Sequence, residues 1–141
     1  MGKSIGLLEL KSIPVGVETA DAVLKAANVE LLTASPTCPG KYVIILCGAV
    51  GAVKSAMESG KQMAGIHLVG SHIINNVHDS VPSAIVGTAE VERTGAIGMI
   101  ETMTALTAVQ AGDLAAKAAN VTLMEIRIAR GLGGKGFILL T

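Results

Sequence analysis

One cysteine of this sequence, Cys38, lies in a segment that favours a reactive or metal-binding thiol. It belongs to residues 35–41 (SPTCPGK), between two apolar stretches. The prolines stiffen this loop, and Gly40 lets the backbone come close to the sulfur. A Cys-Pro pair also occurs where ferredoxins ligate clusters, although a lone loop thiol is most often a bystander and cannot hold a cluster alone. A threefold axis would change this, because three copies of Cys38 would then converge.

No other titratable residue indicates a functional site as strongly as Cys38 does. The second cysteine, Cys47, lies in an apolar stretch and is interpreted as an inert, buried thiol. His67 and His72 are predicted to lie on one strand and to face opposite sides of it, so they cannot share a metal. Glu9 and Glu101 recur at the ends of apolar strands; they are either a catalytic carboxylate pair or scaffold residues, and their recurrence favours the scaffold.

Two glycine-rich stretches could in principle bind phosphates. Gly131-x-Gly133-x-x-Gly136 has the dinucleotide-binding spacing, but a strand is predicted to follow it, which indicates a turn between strands. Gly48-x-x-Gly51 follows a strand and opens a helix, so it fits either a phosphate at the helix N-terminus or close helix–strand packing. We favour close packing.

Composition excludes several classes of function. The formal net charge is +0 and the sequence has no Trp, one Tyr and one Phe, which argues against a nucleic-acid partner. The longest apolar stretch, residues 43–53, is too short to span a membrane. A chain that is 50% hydrophobic and 16% charged has apolar surface to bury between subunits, so we expect an oligomer. Because we find no secretory signal, we expect reduced thiols and a cytoplasmic location.

An internal repeat organises the chain. Ile5 matches Ile97, Asp21 matches Asp113, and residues 25–29 (KAANV) recur as residues 117–121. We therefore predict two tandem domains, residues 1–91 and residues 92–141, the second incomplete after its third strand.

The predicted elements give each copy the order of a split βαβ unit. Copy one reads β-α-β-β-α-β with a short helix after it, which indicates an α+β, ferredoxin-like fold. The predicted strands are 4–11, 29–35, 42–47, 66–74, 96–102, 121–129 and 136–141, and the predicted helices are 17–27, 51–63, 80–86 and 107–119.

The repeated motifs resemble the bacterial microcompartment (BMC) shell domain. They are Ile-Gly-x-x-Glu, then Asp-x-x-x-Lys-Ala-Ala-Asn-Val, a Gly-Lys turn, and the small-residue run of residues 48–56. Two fused copies resemble the tandem class of this family. The resemblance implies a structural, non-enzymatic shell protein that forms homotrimers imitating hexamers and tiles with other shell proteins.

Residues 37–41 further resemble the pore loop of propanediol-utilization members of the tandem class that carry a 4Fe–4S cluster. The resemblance implies that Cys38 is a metal ligand, one per subunit, of a cluster shared by three subunits in the central pore. Its role would be electron or cluster transfer across the shell, with a redox partner that the sequence does not identify. The implied pore-lining residues are Thr37, Pro39, Gly40, Gly131, Gly133 and Gly134, and the implied subunit-edge residues are Lys25, Lys117 and His78.

Two alternatives stay open at this point. The shell pore could pass small metabolites without a cluster, with Cys38 a free thiol or a ligand of another metal. The chain could instead be a ferredoxin-like regulatory module that binds a nucleotide at Gly48 to Gly51.

Overall fold

The computed structural model describes residues 3–128 and 131–141 of the chain, which divides into two compact units. Unit 1 comprises residues 1–77 and unit 2 comprises residues 78–141. In the described residues, no helix has the length and apolar character needed to cross a bilayer.

Unit 1 is an antiparallel sheet with two helices packed against it and against each other. The strand order is β2-β3-β1-β4, so β1 and β2 run in the same direction with β3 between them. This is the split βαβ arrangement that the sequence predicts. The elements are β1 (Lys3–Leu10), α1 (Ile13–Ala26), β2 (Val29–Thr37), β3 (Lys41–Ala49), α2 (Val50–Ala64) and β4 (Leu68–Ile74), with a 3₁₀ turn (Gly65–His67) before β4.

The core of unit 1 lies between the sheet and the two helices. Strand residues Leu8 and Ile44 are fully buried there with Val23 of α1 and Met57 of α2. Gly60 of α2 permits the close approach of helix and sheet, because a Cβ at this position would lie 2.7 Å from Cδ1 of Leu8. The core thereby fixes β3, one of the two strands that border the Cys38 loop.

Unit 2 repeats the central part of this arrangement. Its sheet has the order β5-β7-β6, which is the order β1-β3-β2 of unit 1. Together the two sheets confirm the predicted α+β fold. The elements of unit 2 are α3 (Ser80–Val86), β5 (Gly98–Thr102), α4 (Ala105–Ala118), β6 (Leu123–Ile128) and β7 (Gly136–Leu140). The domain boundary at residues 91/92 and the incompleteness of the second copy stay predictions.

Several predicted boundaries are wrong by a few residues, for identifiable reasons. Helix α1 begins at Ile13 rather than at residue 17, because Ser12 caps it and Pro14 fits its first turn. Helix α4 begins two residues earlier than predicted, behind a capping box of Thr104 and Thr107. The strand predicted to start at residue 66 starts at Leu68, so His67 is not on a strand with His72.

Candidate functional site

Cys38 lies at the tip of the hairpin that joins β2 to β3. Thr37 and Lys41 are register partners at the base of the turn. Residues 38–40 form the turn itself, with a cis peptide bond between Cys38 and Pro39. Gly40 has a φ of 64°, in the region that favours glycine, and a Cβ there would meet open space. The loop predicted between the strands 29–35 and 42–47 is therefore confirmed, and it is a tight turn at Pro39 and Gly40.

The Cys38 thiol is partly buried and makes no disulfide. Its neighbour Thr37 is buried, and the Oγ1 atom of Thr37 has no hydrogen-bond partner. Across residues 3–128 and 131–141, no three His, Cys, Asp or Glu side chains are grouped so that they could hold a metal ion. One chain therefore offers a single thiol at this turn, and a multi-thiolate site there requires more than one chain.

Lys41, at the start of β3, is held by a buried carboxylate. Its Nζ atom donates to Oε1 of Glu9 at 2.8 Å, and the Glu9 side chain is 5% exposed. Glu9 lies on β1, next to β3 in the sheet. The pair thus ties the end of the Cys38 turn to the central strand. Sequence reasoning placed Glu9 in the scaffold but missed its partner, because strand pairing and not sequence spacing brings the two together.

The turn between β6 and β7 is the counterpart of the Cys38 turn in unit 2. Gly131, Gly133 and Gly134 all have positive φ, at 72°, 61° and 90°. Because β7 begins at Gly136, a strand and not a helix follows them, and the predicted turn is confirmed. The preceding residues, 129–130, lie outside the described part of the chain. Here Lys135 pairs with Glu101 at 2.8 Å, as Lys41 does with Glu9, but in an exposed position.

Cys47 differs from its prediction in one respect. It is partly rather than fully buried. Burial raises the pKa of its thiol, and the negative charge of Glu30 raises it further, while Lys3 opposes them. Glu30 lies directly opposite Cys47 in the register of β2 and β3. A raised pKa keeps the thiol protonated, which agrees with the predicted inert role.

The packing interpretation of Gly48 and Gly51 is wrong for Gly51. A Cβ on Gly48 would lie 3.3 Å from the Asn28 carbonyl oxygen and from Val29, so this glycine permits a close strand contact. At Gly51, on α2, a Cβ would meet nothing within 4 Å. The close helix–strand contact is made instead through Gly60, farther along the same helix.

The predicted edge residues differ between the two units. Lys25 Nζ lies 2.5 Å from Oδ2 of Asp21, and both side chains are exposed. Lys117 Nζ lies 2.6 Å from Oδ2 of Asp113, but this carboxylate is 5% exposed. The Asp-x-x-x-Lys spacing favours a surface ion pair on a helix. The pair of Asp21 is such a surface pair, whereas the carboxylate of Asp113 is buried.

Asp113 is buried because the segment around His78 covers it. The backbone N–H of His78 donates to Oδ1 of Asp113 at 2.8 Å, and the Nδ1 atom of His78 lies 2.8 Å from the Ser80 hydroxyl. Helix α3, which follows, packs on α4 and β6. No sequence signal marks Asp113 as different from Asp21, since the two helices share the Asp-x-x-x-Lys spacing.

Comparison with known proteins matches both halves of this fold to one family. The sequence profile of the BMC domain matches residues 4–77 and 96–141. The chain belongs to the BMC-domain family. Its two sheets are thus two copies of the BMC fold, and the resemblance noted from the repeated motifs is confirmed.

Individual BMC-domain relatives are shell proteins by name. The bacterial microcompartment shell protein PduT of Citrobacter freundii is 44% identical over 140 residues, covering 99% of this chain and 76% of the relative. The carboxysome shell protein CsoS1B of Halothiobacillus neapolitanus is 34% identical over 92 residues, covering 63% and 84%. A crystal structure of a microcompartment protein from Desulfitobacterium hafniense matches with a TM-score of 0.95 and 47% identity, covering 99% of this chain and 77% of that one.

Proposed function

We propose that this chain is a structural, non-enzymatic shell protein of a bacterial microcompartment and that three copies form a pseudohexameric trimer. Membership of the BMC-domain family and the 44% identity to a shell protein support the shell role. The composition supports assembly: 16% charged residues and a mean hydropathy of +0.60 leave apolar surface that subunit contacts would cover. Other shell proteins of the same compartment are the expected further partners.

We further propose that the trimer holds a 4Fe–4S cluster on Cys38, with one thiolate from each subunit. The observation that supports it is the position of Cys38 at a hairpin tip, partly buried, without a disulfide. Thiolate sulfur is the ligand that such clusters prefer. A threefold axis through this turn would supply the convergent thiolates that one chain does not offer in its described residues.

The residues around Cys38 have defined tasks in this proposal. Thr37, Pro39 and Gly40 shape the wall of the pore, and the open space beside Gly40 leaves room for a bulky group. Glu9 holds Lys41 and thereby the base of the turn. When bound, the cluster would supply one-electron chemistry, so the trimer would transfer electrons, or the cluster itself, across the shell.

Anaerobic purification tests both parts of the proposal. We expect a trimer by native mass measurement, with iron and sulfide in the ratio of one 4Fe–4S cluster per trimer and a broad visible absorption band. Cys38→Ser should lose the iron and the band, and the matched control Cys47→Ser should keep both. An iron-free, colourless trimer would reject the cluster and favour a pore for small metabolites. A chain that stays monomeric would count against both shell hypotheses, the pore that holds a cluster and the pore that passes small metabolites.

A further inference from the structure

Two threonines of this chain bury a hydroxyl that has no hydrogen-bond partner. Within the residues that the structure describes, Oγ1 of Thr19 and Oγ1 of Thr37 are the buried side-chain polar atoms without one. Both residues are more than nine-tenths buried, with 0% and 8% of their surface exposed. A buried donor that stays unpaired costs free energy, and native folds keep few of them. The position of each hydroxyl therefore carries information.

Thr37 is the last residue of β2 and directly precedes Cys38. Its register partner on β3 is Lys41, so the two side chains share one face of the sheet. Lys41 offers no acceptor, because an ammonium group only donates, and it already donates to Glu9 at 2.8 Å. In the turn itself, residues 38–40, the Cys38 sulfur is the one side-chain atom that can accept a hydrogen bond.

The protonation state of the Cys38 sulfur decides how well it accepts. A neutral thiol is a weak acceptor, whereas a hydrogen bond to an anionic acceptor is short and about twice as strong as a neutral one. A cysteine that ligates a metal does so as the thiolate. The Thr37 hydroxyl is therefore left unpaired beside a thiol and gains a strong acceptor when Cys38 becomes a ligand.

The repeat shows that the hydroxyl and the thiol occur together. The ion pairs of Lys41 and Lys135 occupy matching positions in the two units, and aligning these lysines places Leu132 opposite Cys38 and Gly131 opposite Thr37. The turn without a thiol thus also lacks the hydroxyl. A threonine that served only the shape of the hairpin would have no reason to follow the cysteine.

We propose that the Thr37 hydroxyl donates a hydrogen bond to the Cys38 sulfur when that sulfur ligates iron, and that it thereby raises the reduction potential of the bound cluster and slows its loss. The inference rests on the cluster-binding function proposed above. Reduction adds one electron, whose negative charge is shared by the ligand sulfurs, so a donor to such a sulfur stabilises the reduced state more than the oxidised one. Each subunit of the trimer contributes one such donor.

Redox titration of the anaerobically purified trimer tests the hydrogen bond. Thr37→Val replaces the hydroxyl by a methyl group and should lower the midpoint potential, with the equilibrium constant for reduction falling at least about threefold. It should also speed the loss of iron to a chelator at least about threefold. Thr37→Ser keeps the hydroxyl and should behave like the natural chain. Thr19→Val removes the other unpaired hydroxyl, on α1 and next to no cysteine, and is the matched control that should change neither quantity.

The metal-free, reduced chain gives a second readout that does not need the cluster. There Thr37→Val removes an unpaired donor, so the urea midpoint of unfolding should stay the same or rise. A lower midpoint would overturn the inference, because the hydroxyl would already have a partner in the fold. A loaded trimer whose potential Thr37→Val leaves unchanged, or shifts no more than Thr19→Val does, would overturn this inference alone. A natural trimer that binds no iron would reject the proposed cluster and the inference together.

Discussion

The Nζ atom of Lys41 lies 2.8 Å from Oε1 of Glu9, and Lys135 repeats this contact with Glu101 at the same 2.8 Å in unit 2. The two ion pairs differ in their surroundings. The Glu9 side chain is 5% exposed and that of Glu101 is 67% exposed. One fold thus holds the same pair in two environments, and each pair serves as the control for the other.

Removing the carboxylate charge should matter only where it is buried. Glu9→Gln should lower the free energy of unfolding by about 1–3 kcal/mol, because it leaves the partly buried ammonium of Lys41 with a weaker partner. Glu101→Gln should change it by less than about 0.5 kcal/mol, since water solvates Lys135. Urea unfolding followed by circular dichroism measures both. Equal effects of the two changes would contradict a role for burial.

Asp113 and its counterpart Asp21 are a second pair of residues at which the two repeats should respond differently to the same substitution. Asp113→Ala removes the acceptor of the His78 N–H and the partner of Lys117, so we expect a loss of about 1–3 kcal/mol. Asp21→Ala, the matched change on α1, should cost less than about 0.5 kcal/mol. Hydrogen exchange provides a local measurement: the His78 amide should exchange faster in Asp113→Ala. An unchanged exchange rate at His78 would contradict the assigned hydrogen bond.

The sequence predicts the fold of this chain well because the signals are local or repeated. Strand β1 is a short, mainly apolar stretch, and the offset repeat identifies α4 from α1. The predicted ends of helices and strands are wrong where one residue type fits two different structural positions. The helix predicted from residue 17 begins at Ile13, because proline at position 14 also suits the first helical turn, where its missing N–H has no partner to lose.

The surroundings of the candidate site are harder to predict from sequence. Cys38 can be identified from the sequence because its loop has an unusual composition. The Glu9–Lys41 pair cannot be identified in this way, because its members are far apart in sequence and meet only through the pairing of β1 with β3. The burial of Asp113 depends on the segment that contains α3, and the similarity of α4 to α1 does not predict that this segment covers the aspartate. Tertiary contacts of this kind decide the environment of a charge, and local sequence does not encode them.

Two glycines of α2 should respond to alanine in opposite directions. At Gly60 a Cβ would lie 2.7 Å from Leu8 and from Val23, both fully buried, so Gly60→Ala should destabilise the fold by about 1–3 kcal/mol. At Gly51 the space is open, and Gly51→Ala should stabilise it by about 0.5–1 kcal/mol through helix propensity. Thermal unfolding measures both. A stabilised Gly60→Ala protein would show that the close packing of α2 on β1 is misassigned.

The Cys47 thiol offers a test of electrostatics between β2 and β3. Burial and the facing Glu30 both disfavour its thiolate and raise its pKa. In a Cys38→Ser background, the pH midpoint of Cys47 alkylation, followed by mass spectrometry, should therefore lie above that of an ordinary cysteine. Glu30→Gln removes the facing negative charge and should lower the midpoint. Lys3→Gln removes the opposing positive charge and should raise it.

A control variant shows whether the change in the alkylation midpoint of Cys47 comes from the charge of Glu30, which faces it. Glu58→Gln removes an exposed acidic charge from α2, at a position that does not contribute to the Cys47 pKa, and should leave the midpoint where it is. Burial is the larger cause, so the midpoint in Glu30→Gln should still lie above that of an ordinary cysteine. If Glu30→Gln raised the midpoint, or shifted it no more than Glu58→Gln did, the charge of Glu30 would not act on Cys47 across the strand pair.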